Sequence, residues 1–393
     1  MSEEQLTAAQ IRAVYEEVLG REPAETEVIE QLGLPDLRAM LRLALDSPEF
    51  AERLDEAVAA EIARKPAFAN IFHPDLAPYA MQPGTRSPDG IAIVGHGGTL
   101  LLCGGSNANL PQYVGAVEMA PDWLDQWHEV ILNRGDEIRA MGLASALLVV
   151  PDKLAVYEER YPEPLEKVGL RPIERLLAVP GLDVLYPLAE LRAVVAEEDV
   201  YMPTDTHLTF RGNELLFRSL LEPLGIAGAS LPDFAAMPLR SYPIFGDLGE
   251  KFDPRIVSIV SEPNTLGDAD VVEDNRAEIE AVGGHIGSRR VFRNEGAPDR
   301  RVAVLFGDSF GFSSAYYQGV SWFMAQVFRE VHFVWVPFGW DPDYVREVGA
   351  EAVLVQGAER FVARVPHRRS EVAALAEETL RRKRPVGVEA VSD

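Results

Sequence analysis

The chain has 393 residues, with 37 Lys and Arg against 62 Asp and Glu, a formal net charge of −25, and 47% hydrophobic and 25% charged residues. That mix supports a folded core and excludes a disordered chain, and the length allows two or three domains. The acidity excludes a nucleic-acid binder, which needs a basic face, and the longest apolar run (Leu143 to Val150) is far short of the roughly 20 residues of a membrane helix.

In chain order, Ile11, Val14, Tyr15, Val18 and Leu19 recur at helical spacing before Gly20, and Leu37, Met40, Leu41, Ala44 and Leu45 repeat the pattern. Ser47-Pro48-Glu49 reads as a cap opening a further turn. Tyr15-x-x-Val18-Leu19-Gly20-Arg21-Glu22 and Ser47-Pro48-Glu49-Phe50 resemble a small helical domain of unknown function found on bacterial sugar-related and extracellular proteins. The resemblance implies attachment or assembly for residues 1–60; a helical cap on a larger domain is the other reading. Residues 61–90, rich in Pro and Gly, read as a linker, and 91–393 as one large domain.

Beyond the linker, Ile91 to Val94 and Thr99 to Leu102 flank His96-Gly97-Gly98 as a predicted hairpin. Trp123 to Met141 is a predicted helix, Leu143 to Val150 a buried strand, Leu182 to Leu185 a short strand and Thr209 to Leu221 a helix capped by Thr209. Val302 to Phe306, Val331 to Val336 and Ala352 to Val355 are further predicted strands, with a helix from Ser313 to Phe328. Strands separated by helices predict an α/β fold with a parallel sheet flanked by helices and a small all-helical N-terminal domain.

Ligands of such sheets bind beyond the carboxyl ends of the strands. Arg301 to Phe306 runs into Gly307-Asp308-Ser309-Phe310-Gly311, a glycine-flanked turn that exposes a serine between strand and helix. Asp205-Thr206-His207 precedes the Thr209 helix, and residues two apart in an extended segment share a side, so Asp205 is placed to orient the His207 imidazole. Ser309, His207 and Asp205 supply a nucleophile, a base and an orienting acid. The Ser309 amide is the natural oxyanion donor, with Gly311 as a second. Lys153 and Trp340, each following a strand, are candidates to line a substrate groove.

Gly-Asp-Ser after a strand and Asp-x-His elsewhere resemble the SGNH hydrolase superfamily, and more narrowly its alginate O-acetyltransferase branch. Ala146 to Tyr157 resembles that branch's strand with Pro-Asp-Lys and Tyr, Tyr201 to Gly212 its Asp-Thr-His block, Phe245-Gly-Asp-Leu-Gly249 a Gly-Asp-Leu segment, and Val304 to Phe310 its nucleophile block. Leu208 stands where the branch usually has Trp. The resemblance implies transfer of an acetyl group to a polysaccharide or oligosaccharide hydroxyl through acetyl-Ser309, with a membrane-bound acyltransferase as candidate donor. An acetylesterase, or a non-catalytic member that binds carbohydrate or a partner, would use the same residues. With a net charge of −25, a strongly anionic polymer such as alginate is an unfavourable acceptor unless the groove is locally basic.

Neither a cofactor nor a metal is expected: His73, His96, His128, His285, His332 and His367 lack mutual ligand spacing, and no phosphate-binding glycine loop occurs. The lone Cys103 follows an apolar run and reads as a buried, inert thiol. Met1 to Thr7 lacks the basic start and apolar stretch of a secretory signal, which predicts a cytoplasmic protein, whereas the family resemblance implies periplasm or cell envelope.

Overall fold

A computed structural model describes residues 7–19, 21–32, 40–41, 43–44, 47, 82–228, 231–253, 255–263, 265–312 and 319–382. Its centre is a six-stranded sheet in the order β3 (Ala144–Val150), β10 (Ala352–Ala358), β8 (Asp299–Gly307), β9 (Phe328–Trp335), β7 (Arg289–Arg293), β6 (Asp270–Asp274). The first four strands run parallel, and β7 and β6 close one edge antiparallel. Two hairpins stand apart: β1 (Ala92–Val94) with β2 (Leu100–Leu102), and β4 (Leu239–Ile244) with β5 (Ser258–Pro263).

The unbroken apolar runs of β3, β8 and β10 follow from burial on both faces. Leu148, Val150, Ala303, Leu305 and Leu354 face one layer, where Phe210, Phe217, Trp322 and Phe323 pack from the helices Phe210–Ser219 and Val320–Val327. Alternate residues Val149, Val304, Phe306 and Val353 face the other layer, against Trp127 and Ile138 of the Trp123–Ala140 helix and Tyr344 and Val345 of Pro342–Glu347. No helix among the described residues is long and apolar enough to cross a membrane.

The predicted α/β architecture is thus present, with differences in detail. Leu182–Leu185 forms only a bridge, Leu185 pairing with Leu148. The helix predicted from Ser313 is seen as Val320–Val327, residues 313–318 lying outside those described. Thr209 caps its helix as expected, accepting from the Gly212 amide at 3.2 Å. Four strands between residues 239 and 293 were not anticipated. β6 at the sheet edge, Asp-Val-Val-Glu-Asp, carries charges that blunt an edge, and β7 beside it, Arg-Arg-Val-Phe-Arg, is also charged, so neither gives an apolar signal.

In the N-terminal segment, Ala8–Val14 and Glu25–Gln31 are helical, and Ile11, Val14, Tyr15, Val28 and Met40 form a small core of their own against which Ile259 of β5 packs. Pro48 and Glu49 of the expected cap, and residues 51–81 with most of the expected linker, lie outside the described residues. Its last part, 82–90, folds back on β1, with Arg86 bridging Ile93 and Ser87 donating its amide to the Ala92 carbonyl at 2.9 Å. Cys103 is buried beside Arg86, and burial pushes its thiol pKa up.

Candidate active site

The Gly307–Gly311 turn that carries Ser309 begins where β8 ends. Asp308 is almost wholly buried and fixes the turn to β10. Its Oδ1 accepts from Gln356 Nε2 at 2.7 Å and from the Phe310 amide at 3.0 Å, its Oδ2 accepts from the Ala358 amide at 2.7 Å, and its own amide donates to Gln356 Oε1 at 3.0 Å. Gly307 leaves room for this clasp, since a Cβ there would stand 2.4 Å from Gln356 Oε1. Ser309 sits half-buried at the tip of the turn. Its amide is taken by no acceptor among the described residues, in keeping with an oxyanion donor. The Gly311 amide instead donates to the Asp308 carbonyl at 2.9 Å, so it is spent on closing the turn and does not serve as the second donor anticipated from sequence.

Asp205 and His207 meet as expected, but on a tight loop rather than an extended segment. The loop is closed by the Met202 amide donating to the His207 carbonyl at 3.0 Å and by the Tyr201–Leu208 bridge. Asp205 Oδ1 lies 2.6 Å from His207 Nδ1 and accepts from the His207 amide at 2.8 Å. Accepting a hydrogen bond from Nδ1–H fixes the tautomer in which Nε2 carries the lone pair. The His207 ring lies on Phe310, the residue after Ser309, with centroids 5.2 Å apart. The two chain segments that supply the serine and the histidine, a hundred residues apart in sequence, are therefore in contact.

A third carboxylate, Asp247, completes the cluster. It belongs to the Gly246–Gly249 turn, where its amide donates to Asp205 Oδ2 at 2.9 Å and its side chain accepts from the Thr206 amide at 2.7 Å and from the Thr206 hydroxyl. One ligand atom each from Asp205, His207 and Asp247 falls within 4.8 Å of the others, and the carboxylate oxygens of the trio point at N–H and O–H donors. Burial acts against charge on all three, with different outcomes. The Asp205 carboxyl is held well below the usual range because the charge and hydrogen bond of His207 outweigh its burial. His207 is raised above 6.5, since Asp205 overcomes the burial that disfavours its charged form. Asp247 is raised by burial and then by the neighbouring Asp205 charge. Two adjacent carboxyls are thus pushed apart in acidity, which leaves Asp205 as the ionised partner of the imidazole.

Gly246 makes this docking possible. Its φ is +64°, and a Cβ would stand 2.4 Å from the Thr204 carbonyl and 2.8 Å from Asp205 Cβ. Gly246→Ala is expected to cost about 2–4 kcal/mol and to lower turnover by displacing Asp205. Gly349→Ala is the control: φ is +65° with nothing within 4 Å of a Cβ, so only the backbone penalty of roughly 1 kcal/mol applies. Urea unfolding of the two variants checks the difference.

Beyond the carboxyl end of β3, Asp152 accepts from Asn109 Nδ2 at 2.9 Å and from Arg360 Nη1 at 2.7 Å. The Arg360 guanidinium lies over the Phe310 ring, 5.4 Å from its centroid, on the side chain that supports His207. Burial raises the Asp152 carboxyl even against the charge of Arg360. Asp247 and Asp152 stood inside motifs quoted from the sequence, and Arg360 follows a strand end, a position that could have singled it out. Asn109 gave no signal.

Two groove candidates are elsewhere. Trp340 is fully buried in the layer on the other face of the sheet, where Nε1 donates to Glu137 Oε2 at 2.7 Å and the ring meets Phe306. It fills the core because its indole N–H finds a partner there. Lys153 is 3% exposed and points inward, under the Asp-Thr-His loop, not into a groove.

No family model matches the chain, and no curated protein matches it in sequence. Among solved structures it is similar to PatB1 of Bacillus cereus, at 14% identity over 62% of this chain and 92% of that one, with a TM-score of 0.43. It is also similar to a DHHW family protein from Eubacterium siraeum, at 16% identity over 73% and 94% with a TM-score of 0.44. The O-acetyltransferase domain of Pseudomonas putida AlgJ aligns at 15% identity over 76% and 100%, with a TM-score of 0.39.

Proposed function

We propose that the chain is a serine-dependent O-acetyltransferase that acetylates hydroxyls of a polysaccharide or oligosaccharide. The observation that carries this reading is the Asp205–His207 pair, joined at 2.6 Å, with its imidazole lying on the residue next to Ser309. Ser309 Oγ adds to the carbonyl carbon of an acetyl donor while its proton passes to His207 Nε2, and the Ser309 amide faces the developing oxyanion. Collapse expels the donor's alcohol, which takes the proton from His207 and leaves acetyl-Ser309. An acceptor hydroxyl then gives its proton to His207 and adds to the acetyl carbon, and collapse breaks the bond to Ser309 Oγ, which takes that proton back from His207 and leaves the glycan acetylated. Asp205 stabilises the imidazolium formed in each half and is not itself protonated. A membrane-bound acyltransferase is the proposed acetyl donor, and the net charge of −25 favours a neutral or weakly charged glycan as acceptor.

The test is brief exposure to a chromogenic acetyl ester followed by intact-mass analysis, with and without candidate glycans. A one-acetyl adduct on Ser309 that is discharged faster by glycan than by buffer is the expected result. Discharge at the same rate with glycan present identifies water as acceptor and makes the protein an acetylesterase. No adduct and no ester turnover leaves a non-catalytic binding role.

A further inference from the structure

Lys153 follows β3 and turns its amine inward. Nζ donates to the carbonyls of Met202, Pro203 and Asp205 at 2.7, 2.9 and 3.0 Å. An ammonium has three donors, and here every one goes to the backbone of a single loop, the one that ends in His207. The Pro203 carbonyl also accepts from the Leu100 amide at 2.8 Å, so the loop is tied to the β1–β2 hairpin on one side and to β3 through the lysine on the other. A buried ammonium is costly unless its donors are matched, and an apolar side chain of the same length would strip a donor from all three carbonyls, with the Pro203 and Met202 carbonyls keeping the Leu100 and Asp205 amides.

We infer that Lys153 is a positioning residue of the active site, holding the Met202–Asp205 backbone where the Asp205 carboxylate meets His207 Nδ1. The rate consequence rests on the proposed acyl transfer; the loop geometry does not. Asp205, Asp199 and Asp247 face the ammonium and favour its charge, Arg160 opposes it, and burial, the largest influence, brings its pKa down to about 7. The neutral amine has two donors and a lone pair for three carbonyls, so the loop loosens above neutrality. An alkaline fall in kcat with KM unchanged therefore belongs to Lys153.

Acetyl-ester hydrolysis by wild type, Lys153→Met and Lys153→Arg tests the inference across pH. Lys153→Met is expected to lose kcat by about 10- to 100-fold with KM nearly constant and to lack the alkaline limb, while Lys153→Arg, which keeps donors, recovers part of the rate. A folded Lys153→Met enzyme with wild-type kcat and an unchanged pH profile overturns it. A second readout needs no activity and no stable Met variant: the low-field Nδ1 proton of His207 in protein carrying labelled histidine. At one fixed pH this resonance is expected to shift and weaken in Lys153→Arg relative to the protein with Lys153, and to do so in the Ser309→Ala background as well. A resonance unchanged in Lys153→Arg sinks the inference, whereas absence of turnover with this response intact counts against the acyl-transfer reading alone.

Discussion

Ser309→Ala is expected to abolish acetyl-ester turnover, a loss on the order of 10^6-fold in kcat if the residue is the nucleophile. Such a loss corresponds to roughly 8 kcal/mol of transition-state stabilisation, far more than removal of one half-buried hydroxyl costs in folding, about 0.5 kcal/mol. The side chain sits at a turn tip whose conformation is held by Asp308, Gln356 and Ala358, so the variant keeps its fold. The comparison to make is initial rate and melting temperature on one preparation. Turnover within tenfold of wild type at an unchanged melting temperature would remove Ser309 from the chemistry.

The second large effect is expected at Asp205. Both of its oxygens face N–H donors: Oδ1 the amide and Nδ1 of His207, Oδ2 the amide of Asp247. Asparagine must therefore place its own NH2 against a donor whichever way the amide is turned. One orientation destabilises the loop by about 1–3 kcal/mol and the other also reverses the His207 tautomer. Asp205→Asn is expected to lower kcat by about 10^4-fold. The pH profile carries the sign. In wild type the base must be neutral, and Asp205 raises its pKa above that of an ordinary imidazole against the burial that lowers it, so the acid limb lies on the high side of that ordinary value. Without the Asp205 charge, burial is opposed less and the acid limb moves to lower pH. A limb that stays in place in Asp205→Asn would mean that another group titrates in it.

What the sequence discloses follows from where residues carry local pattern. β3, β8, β9 and β10 are legible because burial on both faces demands unbroken apolar runs. Ser309, His207 and Asp205 are legible because a glycine-flanked turn and an Asp-x-His spacing are local signals. Asn109 is not, since it enters the site only through its contact with Asp152, and Arg360, although it follows a strand end, reaches Asp152 only once β10 lies beside β3. Lys153 and Trp340 show the limit of reading position without direction. Both follow strands as expected, yet one turns under the loop and the other into the opposite layer. Asp247 needed the fold as well, because only the docking of Gly246–Gly249 against Thr204 and Asp205 brings its carboxylate beside the histidine.

The place of β10 has a consequence for how the protein is made. It is the last strand in the chain among the described residues, yet it occupies the slot between β3 and β8, and it brings the Gln356 side chain and Ala358 amide that clasp Asp308. A ribosome that has delivered Asp205, His207 and Ser309 has therefore not yet delivered a working site. A chain cut short before residues 352–358 carries all three side chains without the Gln356 and Ala358 contacts that set the Gly307–Gly311 turn. The turn that carries Ser309 thus waits for the last of the described strands.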